Sequence, residues 1–350
     1  MKRIVVLCDG TWNETDDATP TNVVRLAQAL AARDAGGVEQ IPVYIDGVGT
    51  GEGITWISRF LDKKLGGALG WGLTANVVEA YRNLVFLYEP GDALYVFGFS
   101  RGAYTARSLA GFLRSTGILP RTALHRIPQA VQRYRTVGRR ATHPRTEASH
   151  AFRAVRMESR VATSAEEQDW RAAHGVAPAP LLEVTYMGVW DTVGALGVPR
   201  FVPLLHLVTS QHHRFHDTSL SRMVRAARHA VALDERRAAY APTLWDNLDA
   251  LNAASGERAY RQVHFPGDHG AVGGGGDVRD LSSIALDWIM EGAAAQGLAF
   301  EPEARAAIRA EQHPLGPLTG STGPRRGFIN AIMALMPKRD RDGPDRLEDV

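Results

Sequence analysis

The sequence predicts an α/β fold, with one mostly parallel sheet carrying helices on both faces. Three observations point there. Short apolar runs recur at residues 2–8, 40–45, 93–99 and 181–190, each bounded by turn-forming residues. Segments with helical spacing lie between them, at residues 22–32, about 73–88 and 103–116. The run at 93–99 is continuously apolar, as a strand covered on both faces must be. Strand–helix alternation of this kind builds parallel sheets through right-handed crossovers.

Residues 2–8 are short and β-branched and end at Asp9-Gly10. Residues 22–32 place Val23, Leu26, Ala27 and Leu30 on one helical face, with Thr21 available as the N-cap. The run at 40–45 stops in the turn-rich stretch 46–51, and a glycine-rich stretch at 66–72 leads into the helix of 73–88. Pro90-Gly91-Asp92 turns the chain into 93–99, and the helix of 103–116 lies behind that strand. Residues 119–180 are rich in Arg, Ala and His without strand character, which predicts a helical insertion. Strand character returns at 181–190, a second mostly helical insertion follows at 201–252, and 258–265 forms a last strand. Residues 281–296 form an amphipathic helix, with Leu281, Ile284, Ala285, Trp288 and Ile289 on one face. The chain is therefore expected to be a single domain over 1–350. Helical cap insertions are placed at about 119–180 and 201–255, and a C-terminal wrap at about 301–350.

Composition removes several function classes. With 45% hydrophobic and 22% charged residues the chain is globular, which excludes global disorder. Forty basic against 38 acidic residues leave a net charge of +2, so nucleic acid is not an expected partner. Cys8 is the only cysteine, which excludes an intrachain disulfide. The N-terminal apolar run ends at Asp9, too short for a signal peptide, so a cytoplasmic location is expected. No apolar run reaches the length of about 18 residues that a membrane-spanning helix needs.

The chemistry centres on Gly98-Phe99-Ser100-Arg101-Gly102. This is G-x-S-x-G in its required context, at the end of an apolar strand and the start of a helix. Such a turn projects the serine hydroxyl from the sheet edge, and the small flanking residues let neighbouring backbones approach. A serine needs a histidine base, and the histidine needs a carboxylate. In this fold the acid follows a later strand and the histidine follows the last one. Asp191, directly after 181–190, meets the first condition, and His269, after 258–265, meets the second. Asp217, Asp234 and Asp246 fall in the expected helical insertion, and His264 lies inside a strand pattern. The oxyanion hole needs two convergent N–H groups. Arg101 supplies one, and Gly10 or Thr11, after the first strand, the other. Asp9 is placed to brace that loop.

Other constellations carry less. Asp9-Gly10-Thr11 resembles part of a dehalogenase-type phosphatase motif, but Leu7 stands where the nucleophilic aspartate belongs. Gly47-Val48-Gly49-Thr50-Gly51 is too short for a dinucleotide fingerprint, and no P-loop occurs. His212, His213 and His216 lack an HExxH helix or a cysteine pair, so no metal or other cofactor is expected. Residues 328–336 form an apolar patch flanked by Arg325, Arg326, Lys338, Arg339 and Arg341. That patch fits an anionic membrane surface, although docking on the protein's own core is the stronger reading.

With these residues in view, the chain resembles a bacterial alpha/beta-hydrolase family, formerly of unknown function, that includes phospholipase effectors of type VI secretion. The matching stretches are 2–13 (KRIVVLCDGTWN), 20–26 (PTNVVRL), 47–51 (GVGTG), 95–109 (YVFGFSRGAYTARSL), 188–196 (GVWDTVGAL), 230–236 (AVALDER), 242–245 (PTLW) and 313–318 (HPLGPL). The resemblance implies an alpha/beta-hydrolase fold with Ser100, Asp191 and His269 as its triad. It departs after the histidine, where the family often has His-Ser-Asp or His-Ser-Asn and this chain has Gly270-Ala271. The expected activity is hydrolysis of a carboxylic ester, of a lipid or phospholipid, through an acyl-enzyme. The alternatives are a thioester, amide or polymer-ester hydrolase on the same triad, or an idle hydrolase fold that binds a partner or membrane. The resemblance also implies export as a secretion-system effector, since such cargo often lacks a signal peptide.

Overall fold

Arg3–Cys8 (β1), Gln40–Ile45 (β2), Ala93–Phe99 (β3), Val184–Trp190 (β4), Ala227–Ala232 (β5) and Tyr260–Phe265 (β6) pair in the order β2-β1-β3-β4-β5-β6. Every one of these pairings is parallel. The arrangement is that of a computed structural model describing residues 1–10, 18–47, 68–136, 142–194, 218–256, 258–322, 338–341 and 343–344. The helices described are, in chain order, Asn22–Ala29 (α1), Ala68–Leu87 (α2), Arg101–Thr116 (α3), Ile127–Arg135 (α4), Glu147–Ala151 (α5), Ala165–Ala173 (α6), Leu248–Ser255 (α7), His269–Gly273 (α8), Asp280–Ala295 (α9) and Pro302–Ala310 (α10).

The strand sequences explain the layering. In β1, Ile4, Val6 and Cys8 enter the core built with α2, α3 and α4, while Val5 and Leu7 enter the core built with α1, α9 and α10. A strand apolar at every position is stable only between two such layers. Phe97 and Trp190 are fully buried on the α9 side, and each ring contributes roughly 1.5–3 kcal/mol by leaving water. The Trp190 indole N–H is not stranded there, since it donates to the Ala285 carbonyl at 3.4 Å. Cys8 is buried at the end of β1, where desolvation, followed by the charge of Asp9, pushes its thiol far above the ordinary range.

The strands register so that the C-terminal ends of β1, β3 and β4 lie together: Cys8 pairs with Gly98 and Phe99 with Trp190. The loops after these strands therefore open on one edge of the sheet, the usual location of ligand sites in such folds.

Two elements differ from the sequence expectation. Ala227–Ala232 is a core strand inside the stretch expected to be helical. Its alanines and arginine favour helix locally, but the gap between β4 and β6 decides the outcome. The C-terminal wrap also contains a regular helix, α10, which starts with Pro302 in its first turn and buries Ile308.

The stretch expected to be a helical insertion, at about 119–180, is organised by a charged core. Glu167 of α6 accepts from Arg153 Nε at 2.6 Å and from Arg171 Nη2 at 3.1 Å, and all three side chains are almost wholly buried. Glu167 Oε2 also accepts from the Thr163 amide and hydroxyl, at 3.0 and 3.1 Å. The remaining guanidinium N–H groups reach backbone carbonyls, Arg153 those of Arg114 and Pro144 and Arg171 those of Ser159 and Ala177.

Candidate active site

Ser100 sits between β3 and α3 with φ 57° and ψ −120°, a left-handed conformation that costs a non-glycine residue of order 1–3 kcal/mol. Its side chain makes no capping bond to the helix it precedes. The sharp turn requires small residues on either side. A Cβ on Gly102 would lie 2.1 Å from the Cys8 carbonyl oxygen, and one on Gly98 would lie 2.5 Å from the Gly102 carbonyl oxygen. The backbone of Ser100 is stitched to the β4 loop from both sides. Its N–H donates to Trp190 O at 3.0 Å, and its carbonyl accepts from the Val193 N–H at 3.3 Å.

Asp191 leaves β4 with φ 35° and is fully buried. Its Oδ2 lies 2.6 Å from His269 Nδ1, and its Oδ1 accepts from the Ala232 N–H at 3.0 Å. Burial alone would push this carboxyl up. The bond and charge of His269, together with Arg341, outweigh burial and hold it well below the usual carboxylate range.

His269 opens α8, which is capped by Asp268 through its bond from the Ala271 N–H at 2.8 Å. The imidazole is packed between aromatic rings, with the Phe99 centroid at 4.5 Å and the Tyr240 centroid at 4.8 Å. Phe99 immediately precedes Ser100, so the imidazole stands beside the elbow. The backbone N–H of His269 donates to Glu235 Oε2 at 3.3 Å, and Glu235 is paired with Arg237, which lies over the Tyr240 ring at 3.9 Å.

The expected oxyanion donors fare differently. Arg101 opens α3, where first-turn N–H groups have no acceptor within the helix. The Gly10 N–H is already engaged by Asp9 Oδ1 at 2.6 Å, and Thr11 lies outside the described residues. Asp9 Oδ2 also accepts from the hydroxyls of Thr21, at the start of α1, and Tyr44 of β2, both at 2.7 Å. His212, His213, His216 and the patch at 328–336 lie outside the described residues too. Arg341, which follows that patch in the sequence, is described, and its side chain is buried against Asp191. Among the described residues no helix is long and apolar enough to cross a membrane.

The family of Tle1-like phospholipase effectors of the type VI secretion system, catalytic domain, matches residues 2–292. The chain belongs to that family. It is also 27% identical over 243 residues to the uncharacterized protein YEL023C of Saccharomyces cerevisiae, covering 67% of this chain and 31% of the yeast protein. The chain thus spans about a third of the length of that curated relative. Among solved structures, an uncharacterized protein from Pseudomonas aeruginosa is 17% identical with a TM-score of 0.44, covering 95% of this chain and 50% of that one. The Tle1 effector bound to the VgrG spike is 16% identical with a TM-score of 0.34, covering 78% and 51%.

Several residues around this Tle1-like site escape a reading of the sequence. Glu235 lies in the stretch 230–236, which carries the family resemblance, so a signal for it existed. Tyr240 and Arg341 have no such signal. His229 of β5, expected in a helix, braces the Asp191 loop from below. Its Nε2 accepts from the Thr192 N–H at 3.2 Å, and its Nδ1 donates to Gln262 Oε1 at 2.9 Å.

The His229 ring must stay neutral to accept from Thr192. Burial, with the charge of Arg107 behind it, pushes its pKa down to about 3. An unfolded histidine titrates near 6.5, so between these values the unfolded chain binds a proton that the folded chain refuses. Stability contributed in this way is complete above about pH 6.5 and is lost as pH falls towards about 3. The Tle1-like domain is expected to lose about 2 kcal/mol between pH 7 and pH 5 from this residue. Urea unfolding at the two pH values checks this, with His229→Gln flattening the dependence. An identical pH dependence in wild type and variant contradicts it.

Proposed function

We propose that this chain hydrolyses a carboxylic ester of a phospholipid through a serine acyl-enzyme. The observation that carries the reading is the 2.6 Å contact of His269 Nδ1 with buried Asp191, beside the strained elbow that presents Ser100. Asp191 selects the tautomer with the proton on Nδ1, which leaves Nε2 free to act as the base. Ser100 Oγ attacks the acyl carbon and His269 Nε2 takes its proton. The carbonyl oxygen becomes an oxyanion, held by the Arg101 N–H and a second donor from the loop after β1. The bond to the lipid alcohol then breaks, and His269 returns the proton to the departing oxygen. Water, deprotonated by His269, attacks the acyl-enzyme, and Ser100 leaves with its proton restored.

The Arg101 side chain favours a phosphate-bearing ester over a neutral one. Burial lowers its pKa, and among the described residues no carboxylate acts on its charge. An anionic headgroup would therefore meet, one residue from the nucleophile, a cation that no described carboxylate neutralises. We extend to this chain the effector role in the family's name, so that its lipid is met after export.

A fluorophosphonate probe and defined vesicles test the reading. Ser100 is expected to be the labelled residue, and fatty acid is expected to be released faster from phosphatidylglycerol vesicles than from a neutral triglyceride emulsion. A folded protein that takes no label supports an idle scaffold. Labelling with release only from thioesters or amides assigns the triad to a different acyl group.

A further inference from the structure

We propose that Arg341 is a positioning residue for the Asp191–His269 pair, delivered by a short C-terminal strap laid across the active site. The proposal rests on the serine hydrolase reading above. Arg341 Nη1 donates to Asp191 Oδ1 at 2.7 Å and to Ala232 O at 2.5 Å, and Nη2 donates to Asp191 Oδ2 at 3.0 Å and to Tyr240 O at 2.5 Å. Its side chain is only 6% exposed. The strap is held from outside: Lys338 bridges antiparallel to Arg237, the Arg339 N–H donates to Arg236 O at 2.8 Å, and Arg236 pairs with Asp340 at 2.7 Å.

Two effects follow from this geometry. The first is orientation. A carboxylate rotates about its Cβ–Cγ bond unless several donors fix it, and Asp191 has four. Ala232 N–H and Nη1 hold Oδ1, while Nη2 and His269 Nδ1 hold Oδ2. A planar guanidinium is the side chain able to grip both oxygens at once. It ties the plane of the carboxylate to the backbone of β5 and to Tyr240, whose ring also packs on His269. The second effect is electrostatic. An aspartate beside an imidazole strengthens it as a base, and a cation on the same aspartate offsets part of that influence. Arg341 thereby offsets part of the charge with which Asp191 faces the imidazole. Among the described residues, the other charged or titratable groups near the imidazole are Glu235 at its backbone N–H, with Arg237 paired to it, Tyr240 over the ring, and Asp268 at the cap of α8.

The test follows the His269 ring by NMR titration, assigned with His269→Gln, in wild type, Arg341→Gln and Arg341→Lys. This readout needs no turnover, so it remains informative even if the ester assignment fails. In Arg341→Gln the titration midpoint is expected to rise by about one pH unit. With an ester substrate, the acid limb of kcat/KM moves with it and kcat falls about tenfold or more at nearly constant KM. Arg341→Lys keeps the charge without the fork, so its midpoint stays near wild type while kcat is only partly restored. A folded Arg341→Gln protein with an unmoved midpoint overturns the proposal, whatever its activity, because a merely structural strap leaves the titration in place. If Arg341→Gln does not fold, the lysine variant decides. A kcat equal to wild type would then show that the fork does nothing for the pair.

Discussion

Alanine at position 100 is expected to lower kcat on a phospholipid ester by about 10⁶, the loss typical when the nucleophile of a serine triad is removed. The substitution deletes one hydroxyl from a turn whose backbone is bound on both sides by Trp190 and Val193, so the fold around it should persist. Alanine keeps a Cβ at φ 57° and neither relieves nor worsens the backbone constraint. Binding to vesicles should therefore survive while hydrolysis fails. In the proposed mechanism the three groups act as one unit, so the double variant Ser100→Ala with His269→Ala is expected to lose little beyond the single one. Fatty-acid release under single-turnover conditions, with circular dichroism as the fold control, makes the measurement. Undiminished release by Ser100→Ala would remove the serine from the chemistry altogether.

The largest expected effect on stability lies elsewhere, at Glu167. Replacing it by alanine leaves Arg153 and Arg171 buried in the first insertion without their shared anion. Burial already lowers the pKa of Arg153 against the opposing pull of Glu167. Breaking a buried ion pair on one side costs about 3–5 kcal/mol, since the surviving charge stays desolvated. Backbone carbonyls still accept from both guanidinium groups, so the loss should fall within that range rather than double it. Glu167→Gln, which keeps the shape and one acceptor oxygen but loses the charge and the second acceptor, is expected to fall between wild type and alanine. Urea unfolding gives the magnitude, and a change below about 1 kcal/mol for Glu167→Ala would mean that the carbonyls alone hold the arginines. Faster proteolysis between 143 and 180 should accompany the loss, because this network joins Arg153 to α6 and not to the sheet.

The contrast between these positions shows what a linear reading captures. Ser100 is legible from five residues because a strained turn, an apolar strand before it and a helix after it all leave local marks. Asp191 and His269 are legible because fold topology orders them along the chain and each follows a recognisable strand. The strand at Ala227–Ala232 is not, since alanine and arginine carry a helical preference that only its neighbours β4 and β6 override. His229 is hidden by the same error. Arg341 is invisible for a different reason: 150 positions separate it from Asp191, and a basic residue near charged neighbours reads as surface. Gly10 marks the limit at finer scale. Its position after β1 is evident, but the capture of its N–H by Asp9 depends on a side-chain rotamer that no sequence pattern specifies.

The lone cysteine at the end of β1 has a practical corollary. Sealed in the sheet and held in its thiol form, Cys8 offers no thiolate to an electrophile while the protein is native. The native background is therefore silent to maleimide labelling. A single cysteine engineered on the strap or on the first insertion would take a spin label or fluorophore alone, and the distance from either element to the sheet could be followed without first replacing a native residue.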